Sequence, residues 1–225
     1  MHVSHMLASR EEFTRDAVLF CDAFHALKGD TNNGTPLTKW ELQGEEPGDV
    51  YVTHPPILCE VPNYKDLCNN NSAIEYEEDT YSDPDTVQPP IHRRHVEWRF
   101  SIVFSDTWTV PVLYFTVKHA DDGTPLLRSQ VWNVIPCDEK REFANAWDFV
   151  SYEEHPMTGE PSFFLHPCQT AGRLTLLQAN QPATSPLLSW AAMIFPAIGF
   201  RKPTRTFCRV QQWIAENTTI EGTKT

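Results

Sequence analysis

Phe13, Ala17, Phe20 and Phe24 recur at intervals of three and four residues, with polar and charged residues between them. That spacing predicts an amphipathic helix over residues 9–28. Ser9 and Glu12 fit a capping box at its start, and Gly29 with Asn32-Asn33-Gly34 supplies a stop. A different period governs residues 95–104. Val96, Trp98, Phe100, Ile102 and Phe104 alternate with Glu97, Arg99, Ser101 and Val103, the signature of a strand with one buried face. A second strand is predicted over Val110–Lys118, ending at the turn signal Asp121-Asp122-Gly123. The two read as an antiparallel meander. Shorter strands are predicted at residues 39–42, 50–53 and 163–165. Helices are predicted at 129–133, 139–147, 171–179 and 187–197, with Pro196 kinking or ending the last. A helix, then strands, then helices is an α+β layout.

Composition narrows this picture. The 225 residues suit one domain carrying an insertion, and an apolar fraction of 40% supports a real core. Residues 60–91 read as that insertion, a flexible acidic loop. They hold eight acidic residues against the single base Lys65, a net −7 of the chain's −12, and include Asn69-Asn70-Asn71 and Pro89-Pro90. The loop reads as a solvated segment or as a docking patch for a basic partner. No Lys/Arg cluster exceeds Arg93-Arg94, so nucleic acid and anionic membrane are discounted as partners. The start lacks an apolar signal-type run, and the apolar stretch Leu187–Phe200 is too short to span a bilayer. The six cysteines show no paired spacing and read as reduced thiols of a cytoplasmic protein. No zinc-type spacing occurs, and His92 and His95 read as a solvated pair. Neither metal nor cofactor is expected.

Among the cysteines, Cys168 has the distinctive setting. A strand over Phe163–Leu165 runs into His166-Pro167-Cys168. Pro167 lacks an N–H, so the chain must leave the sheet there and Cys168 is expected to be accessible. If the segment stays extended, His166 and Cys168 point to one face. An imidazole there either favours the thiolate or orients a reacting group, or it bonds backbone and fixes the loop.

The stretch from Trp147-Asp148 to Thr170, with Glu154-His155-Pro156, Gly159, Pro161 and Leu165-His166-Pro167-Cys168, resembles the autophagy ubiquitin-conjugating-type enzymes. The tripeptide His-Pro-Cys marks them. Val110-Pro111-Val112-Leu113-Tyr114-Phe115, Asp122-Gly123, Pro125-Leu126 and the segment Ser189-Trp190 through Pro196 to Gly199 agree in the same order. The similarity covers residues 95–200 well, the first helix in outline and residues 30–93 hardly at all. The nearer branch joins autophagy-related protein twelve to autophagy-related protein five. The resemblance implies a ubiquitin-conjugating-enzyme-like fold, a curved antiparallel sheet flanked by helices. It implies that an activating enzyme, autophagy-related protein seven, passes the C-terminal glycine of a ubiquitin-like protein to Cys168. A lysine of the acceptor then takes it, in autophagosome formation.

Each step makes a demand. Loading exchanges one thioester for another, and the few per cent of thiolate that an ordinary thiol holds near neutral pH suffices. Aminolysis is harder, because deprotonating a free lysine near pH 7 costs about 4–5 kcal/mol. Positioning of the amine and a donor to the oxyanion offset that cost. Ordinary ubiquitin-conjugating enzymes carry His-Pro-Asn upstream of the cysteine. Here the tripeptide is His155-Pro156-Met157, without an amide. His166 and Tyr114 are therefore the candidate polar helpers, Tyr114 with the alternative of a plain strand aromatic. His155-Pro156 and Gly159 read as shaping the turn into the cysteine strand. Three rival readings stay open: the sister enzyme that serves a lipid amine, an inactive adaptor that binds ubiquitin-like proteins, and a cysteine protease.

Overall fold

The computed structural model describes residues 9–27, 39–46, 48–61, 95–134, 150–180, 185–198 and 204–221. The expected helix at 139–147 and residues 62–91 of the acidic insertion lie outside the described residues.

The architecture is α+β, as the order of periods predicts. Six strands form one antiparallel sheet, β1 (Glu41–Gln43), β2 (Tyr51–Glu60), β3 (His95–Ser105), β4 (Val110–His119), β5 (Val150–Glu154) and β6 (Pro161–Leu165), in the order β1-β2-β3-β4-β6-β5. Five α-helices are described: α1 (Arg10–Ala26), α2 (Arg128–Val134), α3 (Thr170–Asn180), α4 (Pro186–Ile194) and α5 (Thr204–Glu221). The described residues fall into two compact units, and the long strands β2, β3 and β4 contribute to both.

The larger unit holds the described residues within 1–56, 99–116 and 136–225. Its core grows from the α1 stripe. Ser9 caps the helix by accepting the Glu12 N–H at 3.2 Å, and Phe13, Ala17, Phe20 and Phe24 are all buried. Phe13 meets Phe104 of β3, and Phe20 meets Trp40, which stacks on Phe195. Asp16, also buried, accepts from Ser185 Oγ at 2.9 Å and from the Leu187 N–H at 2.7 Å. It thereby satisfies a free amide at the start of α4, whose own N-cap is Ser185.

The alternation in β3 predicts one buried face, and the structure corrects this. From Phe100 to Phe104 every residue is buried. The second face is covered locally: Val103, Val112, Tyr114 and Phe164 form a small cluster with Met157 packed against it. The turn after β5 thus acts as a lid on that part of the sheet.

The smaller unit holds the described residues within 57–98 and 117–135. Its turn at Asp121-Asp122-Gly123 forms as predicted. Gly123 takes φ +72°, and Asp122 accepts the Thr124 N–H at 2.8 Å. Leu126, Val117 and Val131 are buried there. Gln130 in α2 accepts the Leu127 N–H just before the helix.

Candidate functional site

Strand β6 delivers the site. It lies between β4 and β5, pairing Tyr114 with Phe164 on one side and Val150 with Leu165 on the other. The turn that feeds it is fixed by His155. This buried ring accepts the Met157 and Thr158 N–H groups on Nδ1, both at 3.2 Å, and lies 2.6 Å from Ser101 Oγ through Nε2. With Nδ1 accepting, Nε2 carries the hydrogen and donates to Ser101. Burial holds the His155 pKa below the ordinary histidine value. Gly159 closes the turn at φ +70°, which a side chain would resist. His155 and Gly159 shape the turn, as the sequence suggests. Ser101 accepts this hydrogen bond instead of donating to the ring, so the imidazole is not placed to draw off the serine's proton and the pair holds no activated nucleophile.

Beyond Leu165 the sheet ends; His166 is still extended, and the chain leaves that geometry at Pro167. Pro167 opens a 3₁₀ turn, Pro167–Gln169, and Cys168 within it is exposed. The condition under which His166 and Cys168 would share a face, a segment extended through Cys168, is not met, because the chain turns at Pro167. They are linked another way: His166 Nδ1 accepts the Cys168 N–H at 3.1 Å. The ring caps the turn, the backbone bond that one of the two readings of His166 expects. Its Nδ1 lone pair is committed, and Nε2 is the ring atom left to present a hydrogen.

Tyr114 and His166 line one cleft of about 490 Å³, together with Trp108, Glu153, Phe164 and Pro167. Tyr114 is buried, and its hydroxyl donates to Glu153 Oε1 at 2.7 Å. Burial, then the Glu153 carboxylate, raises the phenol's pKa well above its usual value. Tyr114 is therefore a neutral donor whose hydrogen is already placed. The Glu153 partner went unread in the sequence because it lies on β5, a short polar strand. Trp108 also went unread. It sits in the β3–β4 turn, partly exposed, with its ring 5.2 Å from that of His166. A large aromatic at a turn between two strong strands was the available signal.

The other described cysteines are set apart by burial or by position. Burial pushes Cys21 up to about 12 and also raises Cys59. Cys208 is exposed, but on the helix α5. Among the described residues no cluster of His, Cys, Asp and Glu could hold a metal ion, and no helix is long and apolar enough to cross a membrane.

An α+β domain with a six-stranded antiparallel sheet and this connectivity has an E2-like fold, that of ubiquitin-conjugating-type proteins. The family model for the autophagocytosis associated protein, active-site domain, matches residues 12–205, and the chain belongs to that family. It is 31% identical over 113 residues to the ubiquitin-like-conjugating enzyme ATG10 of Homo sapiens, covering 48% of this chain and 51% of the relative. To the ubiquitin-like-conjugating enzyme ATG10 of Arabidopsis thaliana it is 30% identical over 152 residues, covering 64% and 66%. To that of Dictyostelium discoideum it is 27% identical over 119 residues, covering 47% and 52%. The matched region thus spans about half to two thirds of these relatives.

Proposed function

We propose that Cys168 carries a ubiquitin-like protein as a thioester and passes it to a lysine of an autophagy protein. The observation that carries this reading is the setting of Cys168: exposed, one residue past a proline at the exit of β6, with its amide held by His166. The Cys168 thiolate attacks the thioester carbonyl on the activating enzyme. A new S–C bond forms, the old one breaks, and the donor leaves as thiolate. The lysine amine then attacks the carried carbonyl. A C–N bond forms, the bond to Cys168 breaks with Cys168 leaving as thiolate, and the proton shed by the amine passes to that thiolate or to water. The partners we assign are autophagy-related protein twelve as cargo, autophagy-related protein seven as activating enzyme and autophagy-related protein five as acceptor, meeting in the cytoplasm. The family and the names of its relatives support the coarser reading, a ubiquitin-like-conjugating enzyme of autophagy.

The two helpers take unequal roles. His166 positions Cys168 through its amide and keeps Nε2–H available as a donor to the oxyanion. Tyr114 serves as a donor only by turning its hydrogen away from Glu153, so its contribution is smaller.

A trapping assay tests the reading. Cys168→Ser is expected to give an alkali-sensitive, thiol-resistant ester with the ubiquitin-like protein, and Cys168→Ala no adduct. An adduct that persists in Cys168→Ala refutes the assignment. Transfer from charged enzyme to phosphatidylethanolamine vesicles instead of protein would identify the lipid-directed activity.

A further inference from the structure

The turn between β3 and β4 is held in a costly shape. Thr109 adopts φ +51°, an uncommon conformation for any side-chain-bearing residue and an outlier for a β-branched one. Such strain persists where surrounding contacts over-determine it. Here the contacts are visible. Arg10, at the start of α1, grips Asp106 with Nε 3.0 and 3.1 Å from the two carboxylate oxygens and with Nη2 at 2.6 Å. Its Nη1 donates to the Gly48 carbonyl at 2.8 Å. The planar guanidinium therefore fixes both the position and the orientation of the turn, which a lysine could not do. Within the turn, Thr109 Oγ1 donates to the Trp108 carbonyl at 2.8 Å.

The held turn sets one side chain against the site. Trp108 leaves 42% of its surface open, and its ring lies at 70° to that of His166, with centroids 5.2 Å apart. Phe164 stacks on His166 at 6.2 Å, so two aromatics restrict the imidazole. Its Nδ1 in turn holds the Cys168 amide.

We propose that Trp108, clamped by Arg10 and Asp106, is a positioning residue for Cys168, acting through the His166 ring. This inference rests on the carrier role proposed for Cys168. Turning the imidazole frees the Cys168 amide and lets the 3₁₀ turn wander. Misplacement of about 1 Å at a reacting atom is enough to slow a reaction by orders of magnitude. An exposed tryptophan has a competing explanation, direct contact with the arriving protein, and the two differ in kinetics.

The experiment compares the full-length chain with Trp108→Ala, Trp108→Phe and Arg10→Ala. Single-turnover loading from a thioester-charged activating enzyme gives a maximal rate and a half-saturating concentration. Nitrogen-15 spectra of the His166 ring and hydrogen exchange of the Cys168 amide are recorded on the same variants. Trp108→Ala and Arg10→Ala are expected to lower the maximal rate roughly tenfold with half-saturation unchanged. They should also alter the ring signals and speed exchange at Cys168. Trp108→Phe should recover most of the rate. A rise in half-saturation with the maximal rate intact would make Trp108 a partner contact and overturn the proposal. So would ring signals and amide exchange in Trp108→Ala identical to the parent. If the parent itself fails to load, the carrier reading falls, while the ring and amide measurements still decide whether Trp108 positions the loop.

Discussion

Replacing His155 by alanine removes a ring from the middle of the lid over the sheet. The side chain is 5% exposed, so almost none of its interactions are shared with water. Three hydrogen bonds are lost, to Ser101 Oγ and to the Met157 and Thr158 N–H groups. At about 1 kcal/mol net each they account for roughly 3 kcal/mol. The ring also packs edge-on against Tyr114 at 4.9 Å and Tyr51 at 5.8 Å, and the space it vacates adds about 1–2 kcal/mol. The expected loss is therefore about 4–5 kcal/mol, read as a lowered urea midpoint by tryptophan fluorescence. The parent should show a pH dependence with a defined sign. The folded pKa of His155 lies below the unfolded value of about 6.5. In the window between the two, the unfolded chain binds the extra proton. Stability is then complete above about pH 6.5 and declines as pH falls through the folded value. Comparison with His155→Gln isolates this contribution, since glutamine does not titrate. A loss below about 1 kcal/mol in His155→Ala would refute the reasoning that the turn depends on this ring. A pH slope unchanged in His155→Gln would refute the assignment of the proton.

Further outcomes follow from other buried or constrained groups. Asp16→Ala should lower stability at pH 7 by about 2–4 kcal/mol, because the Leu187 amide loses its acceptor in the core, whereas Asp16→Asn should lose about 1 kcal/mol; thermal melts giving equal losses would contradict this. Burial raises the Asp16 pKa, so its ionisation makes stability fall as pH rises from the unfolded value of about 3.9 to the folded one, and Asp16→Asn should flatten that limb of the melting profile. Gly159→Ala meets no atom within 4 Å of the added carbon, so its cost is conformational, about 1–2 kcal/mol, and Gly159→Asn should recover part of it in the same melts. Mapping by iodoacetamide and mass spectrometry should show Cys168 and Cys208 labelled well before Cys21, whose pKa of about 12 leaves about one thiol in ten thousand ionised at pH 8; early labelling of Cys21 in folded protein would contradict its burial.

Elements with a clean period were legible, and those whose residues answer to two constraints were not. Helix α1 reads well because its four apolar positions face one core. Strand β2 is longer than the 50–53 predicted, because Pro55-Pro56 argues against a strand. The structure resolves the conflict: β1 pairs with β2 only from Tyr51 to Thr53, so the prolines lie where the strand has run past that partner. Strand β5 was missed because it is a polar edge, Val-Ser-Tyr-Glu-Glu, with Val150 its one buried residue. Helix α5 was missed because, among its described side chains, only Val210 and Ile214 are buried, within eighteen mostly polar positions. The nucleophile candidate could be read from Pro167 and the tripeptide. Its neighbours could not, since Glu153 reaches Tyr114 across 39 residues of sequence and Trp108 meets His166 from the distant β3–β4 turn.

The arrangement also bears on why a His-Pro-Cys sequence can do without an upstream asparagine. In the chain the histidine two residues before Cys168 does not sit free as a base. Its Nδ1 is occupied by the Cys168 amide, which fixes the tautomer and leaves a single hydrogen on Nε2. A ring in that state cannot take the thiol proton through Nδ1, but it can donate, and donation is what an oxyanion needs. Loading requires no base once Cys168 is a thiolate, because one thiolate attacks and another leaves. Aminolysis requires a donor and an ordered amine. If Cys168 is the carrier, the role proposed for His166 gives one histidine two tasks: it caps the cysteine turn, and it offers Nε2–H to the carbonyl. His166→Asn separates them. An asparagine side-chain oxygen can still accept the Cys168 amide, as asparagine does at helix starts, while its own amide is too short to reach where Nε2 stood. Loading by His166→Asn should stay within about threefold of the parent, and discharge to lysine should slow by roughly a hundredfold, the scale of one lost oxyanion donor. Equal slowing of both steps would mean that His166 serves the turn alone.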